Sequence, residues 1–156
     1  MKFEIALRDV AIDDLPIFFE QQAQPEANRM AAFPARDQEA FMAHWIEIMA
    51  DASVVLKTIL CDGQVAGNMV CFGPPDQREV GYWLGKEFWG QGIATRALGE
   101  FLKLVRVRPL FAYVAKHNFG SLRVLQKCGF VICGEDQIVS GNPGGVIEEF
   151  ILKLVG

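Results

Sequence analysis

The sequence predicts an α/β fold of the α+β type, in which a single mixed, mostly antiparallel sheet of about six or seven strands carries helices on both faces. Three consecutive β patterns joined by short turns, over residues 54–84, are typical of an antiparallel meander. After residue 93 a helical pattern precedes a strand pattern twice, which favours a mixed sheet packed against helices. No repeat or linker divides the 156 residues, so we expect one domain over residues 1–156.

The first third of the chain predicts one strand and two helices. Residues 3–8 alternate apolar and polar side chains, which is the period of a half-buried strand. Two aspartates precede residues 15–22 and can cap a helix there. Residues 24–35 contain two prolines and little pattern, and we expect a loop. Asp37 then precedes residues 38–50, where apolar side chains recur at spacings of three and four, so a second, amphipathic helix is predicted.

The middle of the chain predicts the meander itself. Residues 54–61 are rich in β-branched side chains, and Asp62-Gly63 is a strong signal for a two-residue hairpin turn. Residues 64–72 form the returning strand. A turn rich in glycine and proline then leads into a third strand over residues 78–84.

Two further helices and three further strands complete the predicted sheet. Apolar side chains recur at helical spacing from Ile93 onward, and the helix must end before Pro109. A short apolar strand follows at residues 111–115, and Asn118 can cap a helix that runs through Lys127. The closing strands are predicted over residues 130–133 and 146–154, with a turn at residues 141–145 between them.

Composition and charge exclude several classes of function. The net charge of −4 provides no broad basic surface for binding nucleic acid. No apolar run approaches the ~20 residues of a membrane span, and charged residues interrupt the N-terminus where a secretory signal would be apolar. We therefore expect a cytoplasmic protein that binds neither nucleic acid nor membrane. The four cysteines form no C-x-x-C pair, which argues against a metal site and against a disulfide framework.

The segment WGQGIATRAL, residues 89–98, places two glycines one residue apart directly before a helix. No Lys-Ser or Lys-Thr follows as in a P-loop, and Thr95 stands where a dinucleotide fingerprint needs glycine or alanine. A sterically permissive turn is one interpretation. The other is an anion cradle, because free N–H groups at a helix start carry partial positive charge, and those of Gly92, Ala94 and Thr95 could hold a diphosphate.

Two motifs in this order resemble those of the GNAT superfamily of acyl-CoA-dependent N-acyltransferases. WGQGIA is similar to its pyrophosphate-binding signature, Gln/Arg-x-x-Gly-x-Gly/Ala, with Trp89 in the first position. The segment from Asn118 to Phe130 is similar to N-x-x-S-x-R-V-L-x-K-x-G-F in the branch that includes ribosomal-protein N-terminal acetyltransferases. The resemblance implies a GNAT-like fold and an N-acetyltransferase that uses acetyl-CoA and no metal. The residues expected to bind CoA are Leu84, Trp89, Gly90, Gln91, Gly92, Ile93, Ala94, Thr95, Asn118 and Lys127.

One departure from the family pattern concerns the acid that protonates the leaving thiolate. Many members place a tyrosine seven residues after the motif asparagine, and this chain has Leu125 there. Ser121, the third residue after Asn118, is the substitute that we expect. The alternative is that Ser121 only supports the helix cap.

The acceptor amine attacks the thioester only when it is neutral. A lysine-like amine with a pKa of about 10.4 costs about 4.6 kcal/mol to deprotonate at pH 7, whereas an α-amino group near 7.8 costs about 1.1 kcal/mol. A general base is useful in both cases. Glu79 is the candidate base, with an ordinary solvent-facing glutamate as the alternative. The oxyanion of the intermediate is expected near Leu84, where a splayed strand edge leaves an amide available.

The predicted reaction is transfer of the acetyl group from acetyl-CoA to a primary amine, directly, in a ternary complex. A protein N-terminus and a small-molecule amine stay open as acceptors, and the protein is expected to be a monomer or a homodimer. A non-catalytic acyl-CoA sensor or scaffold is the alternative function, which the missing tyrosine favours.

Overall fold

A computed structural model describes residues 3–31, 36–139 and 146–156. The strands are β1 (Ile5–Asp9), β2 (Val55–Cys61), β3 (Gln64–Phe72), β4 (Arg78–Leu84), β5 (Leu110–Ala115), β6 (Val131–Val139) and β7 (Val146–Leu154). The helices are α1 (Leu15–Gln22), α2 (Pro25–Ala31), α3 (Gln38–Met49), α4 (Ile93–Leu104) and α5 (Phe119–Lys127). No helix in these ranges is both long and apolar enough to cross a membrane.

The seven strands form one open sheet in the order β1-β2-β3-β4-β5-β7-β6. Neighbouring strands pair antiparallel except for β4 and β5, which are parallel. The predicted mixed, mostly antiparallel sheet is therefore confirmed. The parallel pairing is limited to Arg78 with Leu110 and Glu79 with Phe111. Beyond these two pairs the strands part, which leaves a gap between the C-terminal halves of β4 and β5.

Helices cover both faces of the sheet, as predicted. On the face that we call the front, α1 and α3 bury Phe18, Phe41 and Trp45 against apolar side chains of β2 and β3. On the opposite face, the back, α4 and α5 bury Phe101 and Leu125 in the larger apolar cluster that includes side chains of β4, β5 and β7. Because successive strand residues point to opposite faces, β2 and β3 supply both clusters.

Turn and cap chemistry explains why several boundaries agree with the sequence. Asp62 and Gly63 both have positive φ, of 50° and 82°, which is the backbone of the predicted two-residue hairpin turn. Asp37 caps α3, since its carboxylate accepts from the Ala40 N–H at 2.7 Å.

Asp14 precedes α1 but its side chain does not cap that helix. The buried carboxylate instead accepts two hydrogen bonds from the Arg8 guanidinium, at 2.7 and 2.8 Å. It also accepts from the Ala11 N–H at 2.9 Å and the Thr58 hydroxyl at 2.7 Å. Chiefly through the hydrogen bond from Arg8, these contacts lower the pKa of Asp14 to about 2. Asp14 thus joins β1, the start of α1 and β2.

Two predicted boundaries are wrong. Residues 25–31 of the expected loop form α2, because Pro25 occupies the first helical position, where its missing N–H needs no partner. The strand expected to end at Cys133 continues to Val139, since it pairs with β7 along its whole length past a register shift near Cys133. The turn predicted at residues 141–145 lies outside the described residues.

Candidate active site

A cavity of about 450 Å³ opens at the gap between β4 and β5. Its walls come from the end of β4, the glycine segment with the first turn of α4, one side of α5 along its length and one side of α2. Most residues predicted to bind CoA line it, namely Leu84, Trp89, Gly90, Gly92, Ile93, Ala94, Thr95, Asn118 and Lys127. Gln91 is not among the lining residues, and its side chain turns back to donate to the Glu87 carbonyl at 3.0 Å.

The glycine segment presents backbone N–H groups to this cavity. Gly92 is the N-cap of α4 with φ of 78°, and no side chain caps the helix. Gly90 has φ of 74°. Positive φ favours glycine at both positions. A Cβ added at either one would meet no atom within 4 Å, so the space beyond is open. Open space in front of uncapped helix-start amides is the arrangement expected of a cradle for a diphosphate.

Trp89 has a structural role in the segment that it begins. Its indole N–H donates to the Leu84 carbonyl at 2.9 Å, which closes the turn between β4 and α4. The first position of the family signature is therefore held by a side chain that shapes the loop.

The backbone of β4 also points polar groups into the gap. A Cβ on Gly67 would clash with the Trp83 carbonyl, which therefore points toward β3, whereas the Leu84 carbonyl points away toward Trp89. In an antiparallel pair, each residue directs its N–H and C=O to the same side, and successive residues alternate. The N–H groups of Tyr82 and Leu84 consequently face the gap, where β5 does not pair with them.

Glu79 lies where β4 and β5 begin to part. Its side chain is on the front face of the sheet, opposite to Tyr82, and it is partly buried. Burial, with a smaller contribution from the nearby carboxylate of Glu149, raises the pKa of Glu79 to about 6. Glu79 is not among the residues that line the cavity.

Ser121 does line the cavity. Its backbone N–H donates to the capping Asn118 side chain at 3.2 Å, and its hydroxyl accepts from the Tyr82 hydroxyl at 3.1 Å. The side chain of Asn118, not that of Ser121, therefore caps α5. Leu125, at the position of the family tyrosine, is 3% exposed and belongs to the apolar core. A phenol at that position would lie in the core.

The α2 wall of the cavity is the part of the site that sequence reasoning missed. Ala27 and Met30 line the cavity from this helix. Lys86 pairs with Glu26 at 2.6 Å on the β4 side, and His117 donates to the Arg29 carbonyl at 2.7 Å on the β5 side. The signal available in the sequence was proline at the first helical position followed by an acidic residue.

Within the described ranges, no group of three or more side chains is arranged to hold a metal ion. The cavity lining in those ranges likewise contains no carboxylate, and its charged members are Arg123 and Lys127 of α5. A polyanionic ligand is therefore favoured on the side of the cavity formed by α4 and α5.

Comparison with known proteins gives consistent results. The model of the GNAT acetyltransferase domain matches residues 4–131. A protein of Bacillus subtilis (strain 168), described as a candidate ribosomal N-acetyltransferase, is 27% identical over 127 residues, covering 74% of this chain and 69% of that protein.

Solved structures share the fold at low sequence identity. A ribosomal-protein-alanine N-acetyltransferase from Brucella melitensis superposes with a TM-score of 0.78 at 19% identity, over 97% of this chain and 99% of that one. A spermidine N-acetyltransferase from Vibrio cholerae, solved with CoA and spermine, gives 0.84 at 13% identity over 97% and 95%.

The family match extends from β1 to the first residue of β6 and so includes every wall of the cavity. The resemblance predicted from two short motifs is thereby confirmed, and with it the acetyl-CoA-dependent transfer of an acetyl group. This chain belongs to the GNAT family of acetyltransferases.

Proposed function

We propose that the protein acetylates the α-amino group of a peptide or protein by direct attack on acetyl-CoA in a ternary complex. The observation that carries the proposal is the gap between β4 and β5, which has a candidate base, Glu79, on one side and a candidate acid, Ser121, on the other. Glu79 lies on the front face of the sheet and Ser121 is bound to Tyr82 on the back face. A thioester in the gap would meet a base on one side and an acid on the other.

The CoA half of this proposal assigns a role to each wall of the cavity. The N–H groups of the first turn of α4 hold the diphosphate, Asn118 binds the pantetheine arm, and Lys127 approaches the adenosine 3′-phosphate. The N–H group of Leu84 donates to the oxyanion of the tetrahedral intermediate, since it faces the gap.

The basicity of the acceptor amine separates the classes of acceptor, by a difference that is the same for any base. With a pKa of about 6 for Glu79, accepting a proton from an α-ammonium group near 7.8 costs about 2.4 kcal/mol. Accepting it from a lysine-like ammonium near 10.4 costs about 6 kcal/mol. The difference of about 3.6 kcal/mol favours the α-amine. A similarity to a candidate ribosomal N-acetyltransferase supports the same class.

A polyamine is the second candidate acceptor. Glu149 lies close enough to Glu79 to raise its pKa, and two neighbouring carboxylates attract a polycation. The solved structure from Vibrio cholerae is that of a spermidine N-acetyltransferase.

The two acceptors are separated by measuring CoA thiol release at pH 7 with three amines. These are a short peptide with a free N-terminal alanine, the same peptide with a blocked N-terminus and one lysine, and spermidine. The proposal expects kcat/KM for the free α-amine to exceed that of the other two by at least about tenfold. Preference for spermidine would replace it with the second candidate. CoA binding without turnover of any amine would point to the sensor.

A further inference from the structure

Two hydroxyl groups meet inside the cavity although their residues lie far apart in the sequence. Tyr82 comes from the back face of β4 and Ser121 from the first turn of α5, and Tyr82 Oη donates to Ser121 Oγ at 3.1 Å. Both side chains line the cavity. The contact therefore lies in the cavity to which acetyl-CoA is assigned above.

The surroundings fix Ser121 in one orientation. Its backbone is held by the Asn118 cap, so its position on α5 is set before any ligand binds. A serine hydroxyl has one hydrogen and two acceptor sites. When Tyr82 donates to Oγ, the hydrogen of Ser121 is left free for a third group, and the space beside it is the cavity.

The ring of Tyr82 is packed, and its hydroxyl is hydrogen-bonded to Ser121. The ring packs against the buried cluster of the back face, together with side chains of α4 and α5. Phenylalanine would fill the same space. The hydroxyl makes its hydrogen bond to Ser121, and burial raises its pKa, so it stays protonated near neutral pH.

We propose that Tyr82 is a positioning residue for acetyl transfer, which aims the Ser121 hydroxyl at the leaving sulfur and replaces the proton that Ser121 gives up. This inference rests on the role of Ser121 in the proposed function. When the tetrahedral intermediate collapses, the C–S bond breaks and its electron pair goes to sulfur. Sulfur takes the proton of Ser121, and Ser121 takes that of Tyr82. A proton from solvent returns to the resulting phenolate, and it balances the proton that Glu79 takes from the amine and releases to solvent.

The relay has a physical advantage over Ser121 acting alone. With Tyr82 hydrogen-bonded behind it, the negative charge moves to a phenolate, because a phenol is a stronger acid than an aliphatic alcohol even where burial raises its pKa. Without Tyr82, an alkoxide would form at Ser121. The pair thus supplies from β4 and α5 the phenol that Leu125 cannot supply.

The test is a double-mutant cycle with Tyr82→Phe and Ser121→Ala, in which kcat and the KM for acetyl-CoA are measured with the best amine of the acceptor panel. Tyr82→Phe should lower kcat about tenfold with the KM for acetyl-CoA unchanged, which is the effect expected of one lost hydrogen bond. In the Ser121→Ala background the same change should alter kcat less than about twofold, because Tyr82 acts through Ser121. Ser53→Ala, which removes an exposed serine hydroxyl in the turn before β2, is the matched control and should keep the parent kcat.

Each of the following outcomes would overturn the proposed role of Tyr82, of Ser121 or of both. A full effect of Tyr82→Phe in the Ser121→Ala background would show that Tyr82 acts independently. A raised KM for acetyl-CoA with unchanged kcat would give Tyr82 a binding role only. A Ser121→Ala variant with the parent kcat would remove Ser121 from the proposed function and Tyr82 with it. If Ser121→Ala lowers kcat but Tyr82→Phe does not, only the role of Tyr82 is rejected.

Discussion

Replacement of Gly92 by alanine separates the anion cradle from a simple turn. Gly92 has φ of 78°, and nothing lies within 4 Å of an added Cβ. The folded chain can therefore accept the methyl group at the cost of the left-handed backbone alone, about 1–2 kcal/mol. For a domain of this size such a loss lowers Tm by about 2–8 °C. The same methyl group would be added at the N-cap of α4, on a residue that lines the cavity.

Gly63→Ala is the matched control. Gly63 has φ of 82° and equally open surroundings, but it belongs to the hairpin turn between β2 and β3 and does not line the cavity. Both variants should lose similar stability in thermal unfolding. In calorimetric titration with CoA, only Gly92→Ala should bind about 10- to 100-fold more weakly, which corresponds to one charge-assisted hydrogen bond. Parent-like affinity in Gly92→Ala, or equal loss in both variants, would refute the cradle.

Four further variants test other parts of the account. For the parent enzyme kcat/KM should rise with pH through about 6, because a Glu79 base is active only when deprotonated. Glu79→Gln should lower kcat about 100-fold and abolish the rise near pH 6, so that only the rise from deprotonation of the amine near 7.8 is left; a retained rise near pH 6 would exclude Glu79. The lowered pKa of Asp14 stabilises the fold above its unfolded value of 3.8 and ceases to do so as pH falls toward about 2. Asp14→Asn should therefore lower the free energy of unfolding, measured with urea at pH 7, by about 2 kcal/mol. The difference in that free energy between variant and parent should narrow in acid, and a difference that does not change with pH would contradict the link to Arg8. Lys127→Ala should weaken binding of CoA but not of dephospho-CoA, and equal weakening would place Lys127 away from the 3′-phosphate. Leu125→Tyr should lose about 1–3 kcal/mol of stability through overpacking without raising kcat, and a faster enzyme would show that this position can reach the thiol.

The elements whose signals are local could be predicted from the sequence. The bounds of α1, β3, β4 and β7 agree with the predictions, and turns at neighbouring residues set the bounds of β3 and β4. α2 was missed because proline was interpreted as a breaker although it suits a first helical position. The extension of β6 through polar residues depends on its pairing with β7, which composition does not reveal.

The candidate site also combines features with a local sequence signal and features that depend on the fold. The helix-start amides and the Asn118 cap are local patterns, and both lie where they were predicted. The hydrogen bond from Tyr82 to Ser121 joins residues 39 apart, and the effect of Glu149 on Glu79 depends on how β4, β5 and β7 are aligned. These relations follow from strand register and helix placement, which a single sequence does not specify.

The central claim is that the amine attacks acetyl-CoA directly in the gap between β4 and β5. Its most direct test is to incubate the enzyme with acetyl-CoA, with and without the free α-amine peptide, and to measure free CoA thiol together with the mass of the peptide. The account predicts equal amounts of CoA and acetylated peptide, with no rapid release of CoA when the amine is omitted. One equivalent of CoA per enzyme released without the amine would indicate an acetyl-enzyme and contradict the account.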